Sequence, residues 1–189
     1  MSTRMFAIIV AALIAHAVPA HAQRRTSVPN TGMWAIGGSI GGGSPSDPSL
    51  AGGFDVAGNI ERYLTPRISI RGQLGGEWSD IVNRGFTGTV SPVFIDGNAV
   101  YNWEGGVWHP YVTGGVGLYR YRSFENAAPA AADTSLGVDV GGGIEYFMNR
   151  RYTVTGEVLF HDVGQVATPL TTFNRGRFWT FTAGVKRFF

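Results

Sequence analysis

The stretch Phe178-Trp179-Thr180-Phe181-Thr182-Ala183-Gly184-Val185-Lys186-Arg187-Phe188-Phe189 constrains the fold more than any other part of the chain. Trp179, Phe181, Ala183, Val185 and Phe189 form an apolar row on one parity, interrupted only by Arg187. Thr180, Thr182, Gly184 and Lys186 fill the other parity with polar or small residues. Alternation with period two marks a strand that has two unlike faces. A strand of a soluble domain runs for ~5–6 residues, whereas a tilted strand crossing a bilayer needs ~9–11. The length here matches the second case.

Seven further segments alternate in the same way, near Met33–Gly41, Leu50–Leu64, Pro66–Ser79, Val90–Trp103, Pro110–Tyr121, Ser135–Met148 and Arg151–Asp162. In the third, Ile68, Ile70, Gly72, Leu74, Gly76 and Trp78 oppose Arg67, Ser69, Arg71, Gln73, Gly75 and Glu77. In the sixth, Leu136, Val138, Val140, Gly142, Ile144 and Tyr146 oppose Gly137, Asp139, Gly141, Gly143 and Glu145. The seventh is weaker, because Leu159 breaks a polar row of Thr153, Thr155, Glu157 and His161. Short connections at Leu64–Pro66, Glu104–His109 and Asn149–Arg150 alternate with longer ones at Gly42–Ser49, Asp80–Thr89, Arg122–Thr134 and Val163–Arg177. The longer ones are rich in Gly, Pro, Ser, Thr and Asn, so they read as loops. Strict alternation of short and long connections is the meander of an outer-membrane barrel, with short periplasmic turns and longer extracellular loops.

Alternation alone leaves open which row faces inward, since a soluble barrel would bury the apolar one. Composition and placement favour the membrane. Only 15% of residues are charged, against ~25% in soluble domains, and the polar row is rich in glycine and acids but poor in lysine. Aromatic residues also gather at the strand ends. Trp103, Trp108, Tyr111, Tyr146, Phe147, Tyr152, Phe188 and Phe189 lie near the short turns. Trp78, Phe86, Tyr119, Tyr121, Phe124, Phe173, Phe178 and Trp179 lie near the long connections. Two aromatic girdles around an apolar band are what a bilayer demands. The expected fold is therefore all-β, an eight-stranded antiparallel up-and-down transmembrane β-barrel spanning residues 33–189.

Upstream, Met1–Ala22 reads as a cleaved signal peptide: Arg4 precedes the apolar run Phe6–Ala15, and Ala20-His21-Ala22 fits the small-x-small cleavage rule before Gln23. Residues 23–32 read as a polar periplasmic lead-in. The apolar run is ten residues, half of the ~20 that a spanning helix needs. There is no cysteine, which excludes a disulfide framework and thiolate metal sites. The net charge of +2 includes no Lys/Arg cluster of the kind nucleic-acid binders carry.

The run Pro110-Tyr111-Val112-Thr113-Gly114-Gly115-Val116-Gly117-Leu118-Tyr119 resembles the Pro-Tyr-x-x-x-Gly-x-Gly strand of the small outer-membrane β-barrel family, related to the membrane domain of outer membrane protein A and to opacity-type porins. The turn Tyr63–Gly72 and the aromatic Phe189 are similar too. The resemblance implies residence in the bacterial outer membrane of a Gram-negative cell, and Phe189 as an assembly signal read by the barrel-assembly machinery during insertion. Arg187 departs from the pattern, where an aromatic or aliphatic residue is usual, and is expected to snorkel to the periplasmic interface.

The lumen row is expected to hold Asp55, Glu61, Glu77, Asp96, Asp139, Glu145 and Glu157 against Arg67, Arg71 and Lys186, a formal −4 from seven acids and three bases. A structural ion-pair plug is the favoured reading, and a cation path or narrow porin for small polar solutes the alternative. Arg84, Arg120, Arg122, Arg175 and Arg177 form a possible lipopolysaccharide-facing rim, because the guanidinium fork suits phosphate. His161 beside Asp162, Glu157 and the hydroxyls of Thr168, Thr171 and Thr172 hints at hydrolysis. A threonine nucleophile would need a positioned base, and no serine closely follows His161, so the reading is a rim histidine rather than a lipid A-modifying enzyme. A soluble ligand-binding barrel is the non-membrane alternative. No catalytic, cofactor or metal site is expected. The function expected is a structural or surface-interaction role through the extracellular loops, as a monomer among outer-membrane lipid and lipopolysaccharide. Mass spectrometry of the exported protein should show Gln23 as the first residue; a chain retaining Met1–Ala22 would contradict the signal-peptide reading.

Overall fold

The computed structural model describes residues 29–46, 51–80, 88–103, 106–125, 128–164, 166–168, 171–173 and 176–189. The signal segment, its Ala22–Gln23 junction, Arg84, Phe86 and Arg175 lie outside these residues. Ten strands follow in chain order: β1 (Trp34–Pro45), β2 (Gly53–Tyr63), β3 (Ile68–Asp80), β4 (Gly88–Asn102), β5 (Trp108–Glu125), β6 (Ala128–Phe147), β7 (Tyr152–Val163), β8 (Val166–Thr168), β9 (Thr171–Phe173) and β10 (Gly176–Phe188). Eight of them close into one antiparallel barrel in the order β1-β10-β7-β6-β5-β4-β3-β2, and β8 with β9 makes a separate small hairpin. Closure lets every strand pair on both sides, which is why such a sheet can sit in hydrocarbon, where an unpaired backbone group costs several kcal/mol.

The register fixes the width of the barrel. From Ala35 the pairing runs through Glu61, Arg71, Asn98, Gly115, Asp139, His161 and Phe178 and returns to β1 at Pro45, ten residues up the same strand. That stagger tilts the strands by roughly 40°, and eight strands leave an interior just wide enough for side chains to fill. Large inward side chains therefore face inward glycines on the next strand: Phe94 pairs with Gly75, Tyr111 with Gly143, Lys186 with Gly37 and Asn98 with Gly115. A Cβ at Gly143 would collide with the Tyr111 hydroxyl and the Gly156 carbonyl, and one at Gly75 with the Phe94 ring.

The outer face is apolar, with Ile36, Ile40, Val56, Ile60, Ile70, Leu74, Ile95, Val116, Leu136, Val140 and Val185 all exposed. The aromatic residues divide by parity instead of all joining the girdles. Trp34, Tyr101, Trp103, Trp108, Tyr146 and Tyr152 face outward at the short-turn end, and Phe54, Trp78 and Trp179 at the other. Trp108 packs on Tyr146 (centroids 4.6 Å apart) and Tyr101 on Trp103 (5.0 Å). Tyr111, Phe147 and Phe188, which the sequence placed in the inner girdle, are buried in the lumen, as are Tyr119, Tyr121 and Phe178 from the outer girdle. Each shares the parity of a buried polar residue on its own strand, such as Glu145 for Phe147 and Lys186 for Phe188.

Two segments expected as loops continue the sheet. Gly42–Pro45 completes β1. β5 and β6 run on to Glu125 and from Ala128, pairing Arg122 with Ala132 and Ser123 with Ala131 before a register shift at Ser123/Phe124. Polar, Ala-rich sequence without apolar alternation reads as loop, yet backbone pairing proceeds without that pattern. Gly143→Val should weaken the barrel by roughly 1–3 kcal/mol through overpacking against Tyr111, read by urea titration of the refolded protein. Unchanged stability would show that the lumen has slack at that level.

Candidate functional site

The polar lumen residues come from almost every strand, so the site exists only once the barrel closes. Glu61 on β2 is its hub. The Glu61 carboxylate accepts from the Ser69 hydroxyl, from Arg71 Nε at 3.2 Å and from Lys186 Nζ at 2.6 Å. Lys186, on β10, also donates to Glu145 Oε1 on β6. Arg71, on β3, reaches across to Glu157 Oε2 on β7 at 2.5 Å, and the Tyr111 hydroxyl donates to the same oxygen at 2.7 Å. Both cations lie over the Tyr111 ring, Arg71 at 5.2 Å and Lys186 at 5.7 Å from its centroid. Six strands are thus tied across the lumen by two cations and three carboxylates.

Aromatic layers close this network above and below. Towards the short turns, Ala35, Tyr63, Phe147 and Phe188 pack with Met33 beneath them. His109 lies against Phe147 (4.6 Å) and donates to the Gly106 carbonyl at 3.1 Å, in a turn where Gly106 holds φ +77°. Towards the long connections, Ala57, Phe94, Tyr119, Tyr121, Val163 and Phe178 form the second layer. His161 belongs to that layer. It is fully buried, stacks on Phe178 at 4.4 Å and 8°, and is hydrogen-bonded to the Tyr119 hydroxyl at 2.9 Å and Thr180 at 3.2 Å. The rim position expected of His161 is therefore corrected: its parity with Thr153, Thr155 and Glu157 carries it inside.

A more acidic level adjoins the upper layer. Asp96 and Asp139 are buried just below it, and Asp55 and Glu77, paired with each other and adjacent to the outward Phe54 and Trp78, are buried at its own height. Ser79 donates to Glu77 at 2.7 Å and Asn98 to Asp96 at 2.5 Å. Among the described residues, neither carboxylate oxygen of Asp139 and one each of Asp55 and Asp96 has a hydrogen-bond partner. No group of three or more His, Asp or Glu side chains among the described residues could hold a metal ion.

Arg67 is the other correction. It lies in the turn before β3, exposed, where Thr65 Oγ1 accepts its backbone N–H at 3.2 Å. The inward row of β3 begins two residues later, at Ser69. The lumen thus holds seven acids and two bases, a formal −5. Of the rim arginines, Arg120 and Arg122 point outward on β5, and Arg177 on β10 pairs with Asp162 at 3.3 Å. The sequence reading missed the aromatic layers and Tyr111, although parity with Glu145, Lys186 and Thr113 carried the signal.

A closed eight-stranded sheet with an apolar outside and a filled polar inside defines a small transmembrane β-barrel of the bacterial outer membrane. The chain belongs to the family of the outer membrane protein beta-barrel domain, which matches residues 8–189. Solved structures with the same fold include Neisserial surface protein A (17% identity, TM-score 0.64, covering 83% of this chain and 97% of that one). The N-terminal β-barrel domain of Pseudomonas aeruginosa OprF is similar at 13% identity and TM-score 0.58, over 85% and 100% of the two chains. The attachment invasion locus protein Ail of Yersinia pestis is similar at 8% and 0.58, over 84% and 99%. These likenesses establish the fold alone. No curated protein matches the sequence.

Lys186→Met should cost roughly 3–5 kcal/mol, because it strands the buried carboxylate of Glu145 and leaves Glu61 with Arg71 and Ser69 only. Adding Glu145→Gln to that variant should recover part of the loss, measured by urea unfolding in detergent or lipid. Equal stability of wild type and Lys186→Met would mean that the ammonium does not hold this lumen together.

Proposed function

We propose that this protein is a non-conducting, non-catalytic, monomeric barrel that anchors a surface-interaction role at its extracellular end. The observation that carries the reading is the stacked lumen: an aromatic layer, an ion-pair network across six strands, and a second aromatic layer. A pore needs a continuous polar path, and the rings of Phe147, Phe188, Phe94, Tyr119 and Phe178 interrupt it at both ends. The buried His161 ring is taken up by stacking on Phe178 and by hydrogen bonds to Tyr119 and Thr180 inside the aromatic layer, which supports a structural rather than a catalytic role.

The outer surface supports contact with outer-leaflet lipid. Along β5 the outward row runs from Trp108 to Leu118, about 25 Å of bilayer once tilt is included, which equals the usual apolar band. Arg120 and Arg122 are the next two outward residues, at the depth of lipopolysaccharide phosphates, and the guanidinium fork suits such groups. The alternative, a narrow cation path, draws on the lumen excess of acids and the unpartnered oxygens of Asp55, Asp96 and Asp139.

Planar-bilayer recording of the refolded protein should show no stable conductance steps; reproducible cation-selective steps would favour the porin reading instead. Arg120→Ala with Arg122→Ala should lower co-purifying lipopolysaccharide several-fold without altering heat-modifiable gel mobility. Undiminished lipopolysaccharide would remove these arginines from the contact.

A further inference from the structure

The short-turn end of the barrel carries a charge asymmetry that the lumen and the extracellular rim leave unexplained. Arg62, Arg67, Arg150, Arg151 and Arg187 are all exposed there. No acidic side chain among the described residues faces outward at that end. These arginines are not spread evenly around the ring. Arg187 on β10 pairs with Tyr152 on one side and Ile36 on the other. Arg151 immediately precedes Tyr152, and its carbonyl accepts from the Phe188 N–H at 2.8 Å. Arg62 on β2 pairs with Trp34, the residue hydrogen-bonded to Phe189 in both directions. Arg151, Arg187 and Arg62 thus line one continuous sector, β7-β10-β1-β2, with the last two about two strand spacings, ~10 Å, apart. The opposite sector, β4 to β6, presents Tyr101, Trp103, Trp108 and Tyr146 in the equivalent places.

Local geometry holds the sector open. Asn149 Oδ1 accepts the N–H groups of Arg151 at 2.8 Å and Tyr152 at 3.0 Å, which fixes the β6–β7 turn. Arg62 lies over the Trp34 ring, 5.2 Å from its centroid. Stacking of this kind orients a guanidinium while leaving its N–H edge free to meet an anion. Arg62 and Arg187 lie on the lipid-facing parity, beside the girdle residues Trp34 and Tyr152. They therefore sit at the headgroup depth of the periplasmic leaflet, not in open solution.

We propose that the β7-β10-β1-β2 sector is a binding site for an anionic phospholipid of the periplasmic leaflet, whose phosphodiester is held by Arg62, Arg151 and Arg187. A zwitterionic headgroup offers the same phosphate with its own compensating cation, so it competes poorly for three guanidinium groups. A groove of about 520 Å³ along β1 to β4 adjoins the β1-β2 half of this sector, and its lipid-facing residues Ile36, Ile60, Leu74 and Ile95, set between the inward Asn59, Gln73 and Asp96, offer the acyl chains of such a lipid an apolar bed.

The test is native mass spectrometry of the full protein in detergent carrying equimolar phosphatidylglycerol and phosphatidylethanolamine with identical acyl chains. The wild type should retain phosphatidylglycerol in preference. Arg62→Gln, Arg151→Gln and Arg187→Gln together should abolish that preference, at roughly five-fold per arginine removed, while the lysine triple variant should keep most of it. Heat-modifiable gel mobility checks that each variant folds, and the single Arg62→Gln variant stands in if the triple one does not. Equal retention of the two lipids by the wild type would overturn the proposal, as would an unchanged preference in a folded glutamine variant. Displacement of the lipid by inorganic phosphate at matched concentration would overturn it too, by reducing the site to a free-anion patch.

Discussion

The structure depends on one ammonium group. Lys186 enters a lumen just wide enough for side chains to fill and bridges Glu61 and Glu145, while Arg71 binds Glu61 on the other side and extends the chain to Glu157 and Tyr111. A buried ion pair is poor evidence of net stabilisation, because desolvation can cancel the Coulomb gain. What such a network does secure is register. In a closed sheet, a one-residue slip turns every side chain to the other face, and here it would put Lys186 and Glu61 in lipid and Ile60 and Val185 in the lumen.

The stagger of the barrel, its glycines and its charges answer the same geometric demand. Closure with a ten-residue offset leaves too little room for two large inward side chains to face each other on paired strands, so Tyr111 needs Gly143 and Lys186 needs Gly37. Several of the strand glycines, Gly75, Gly137 and Gly143 among them, are the complement of the lumen's bulky residues. Aromatic layers flank the ions on both sides.

Much of this was legible in the chain. Period two in β3, β6 and β10 separates the faces, the count of alternating segments yields the number of barrel strands, and the alternation of connection lengths yields the meander. The identities of most lumen residues followed from parity alone. Arg67 escaped because parity says nothing about where a strand begins, and a turn that ends at Ile68 leaves Arg67 outside. His161 and the inward aromatics escaped for another reason. Aromatic residues near strand ends suit a girdle and a plug equally well by composition, and only attention to parity separates Phe188 from Phe189. The pairing of Lys186 with Glu61, 125 positions away, is set by the stagger of the closed barrel. No local pattern encodes that.

The central claim is that the lumen is a dry, interlocked plug, and the Lys186 ammonium reports on it directly. Proton-detected nitrogen NMR of the lysine-labelled barrel in lipid bilayers should show a slowly exchanging Nζ resonance for Lys186, coupled to the carboxylates of Glu61 and Glu145. A rapidly exchanging ammonium, averaged as it is in water, would mean that the lumen is wet and the plug does not exist.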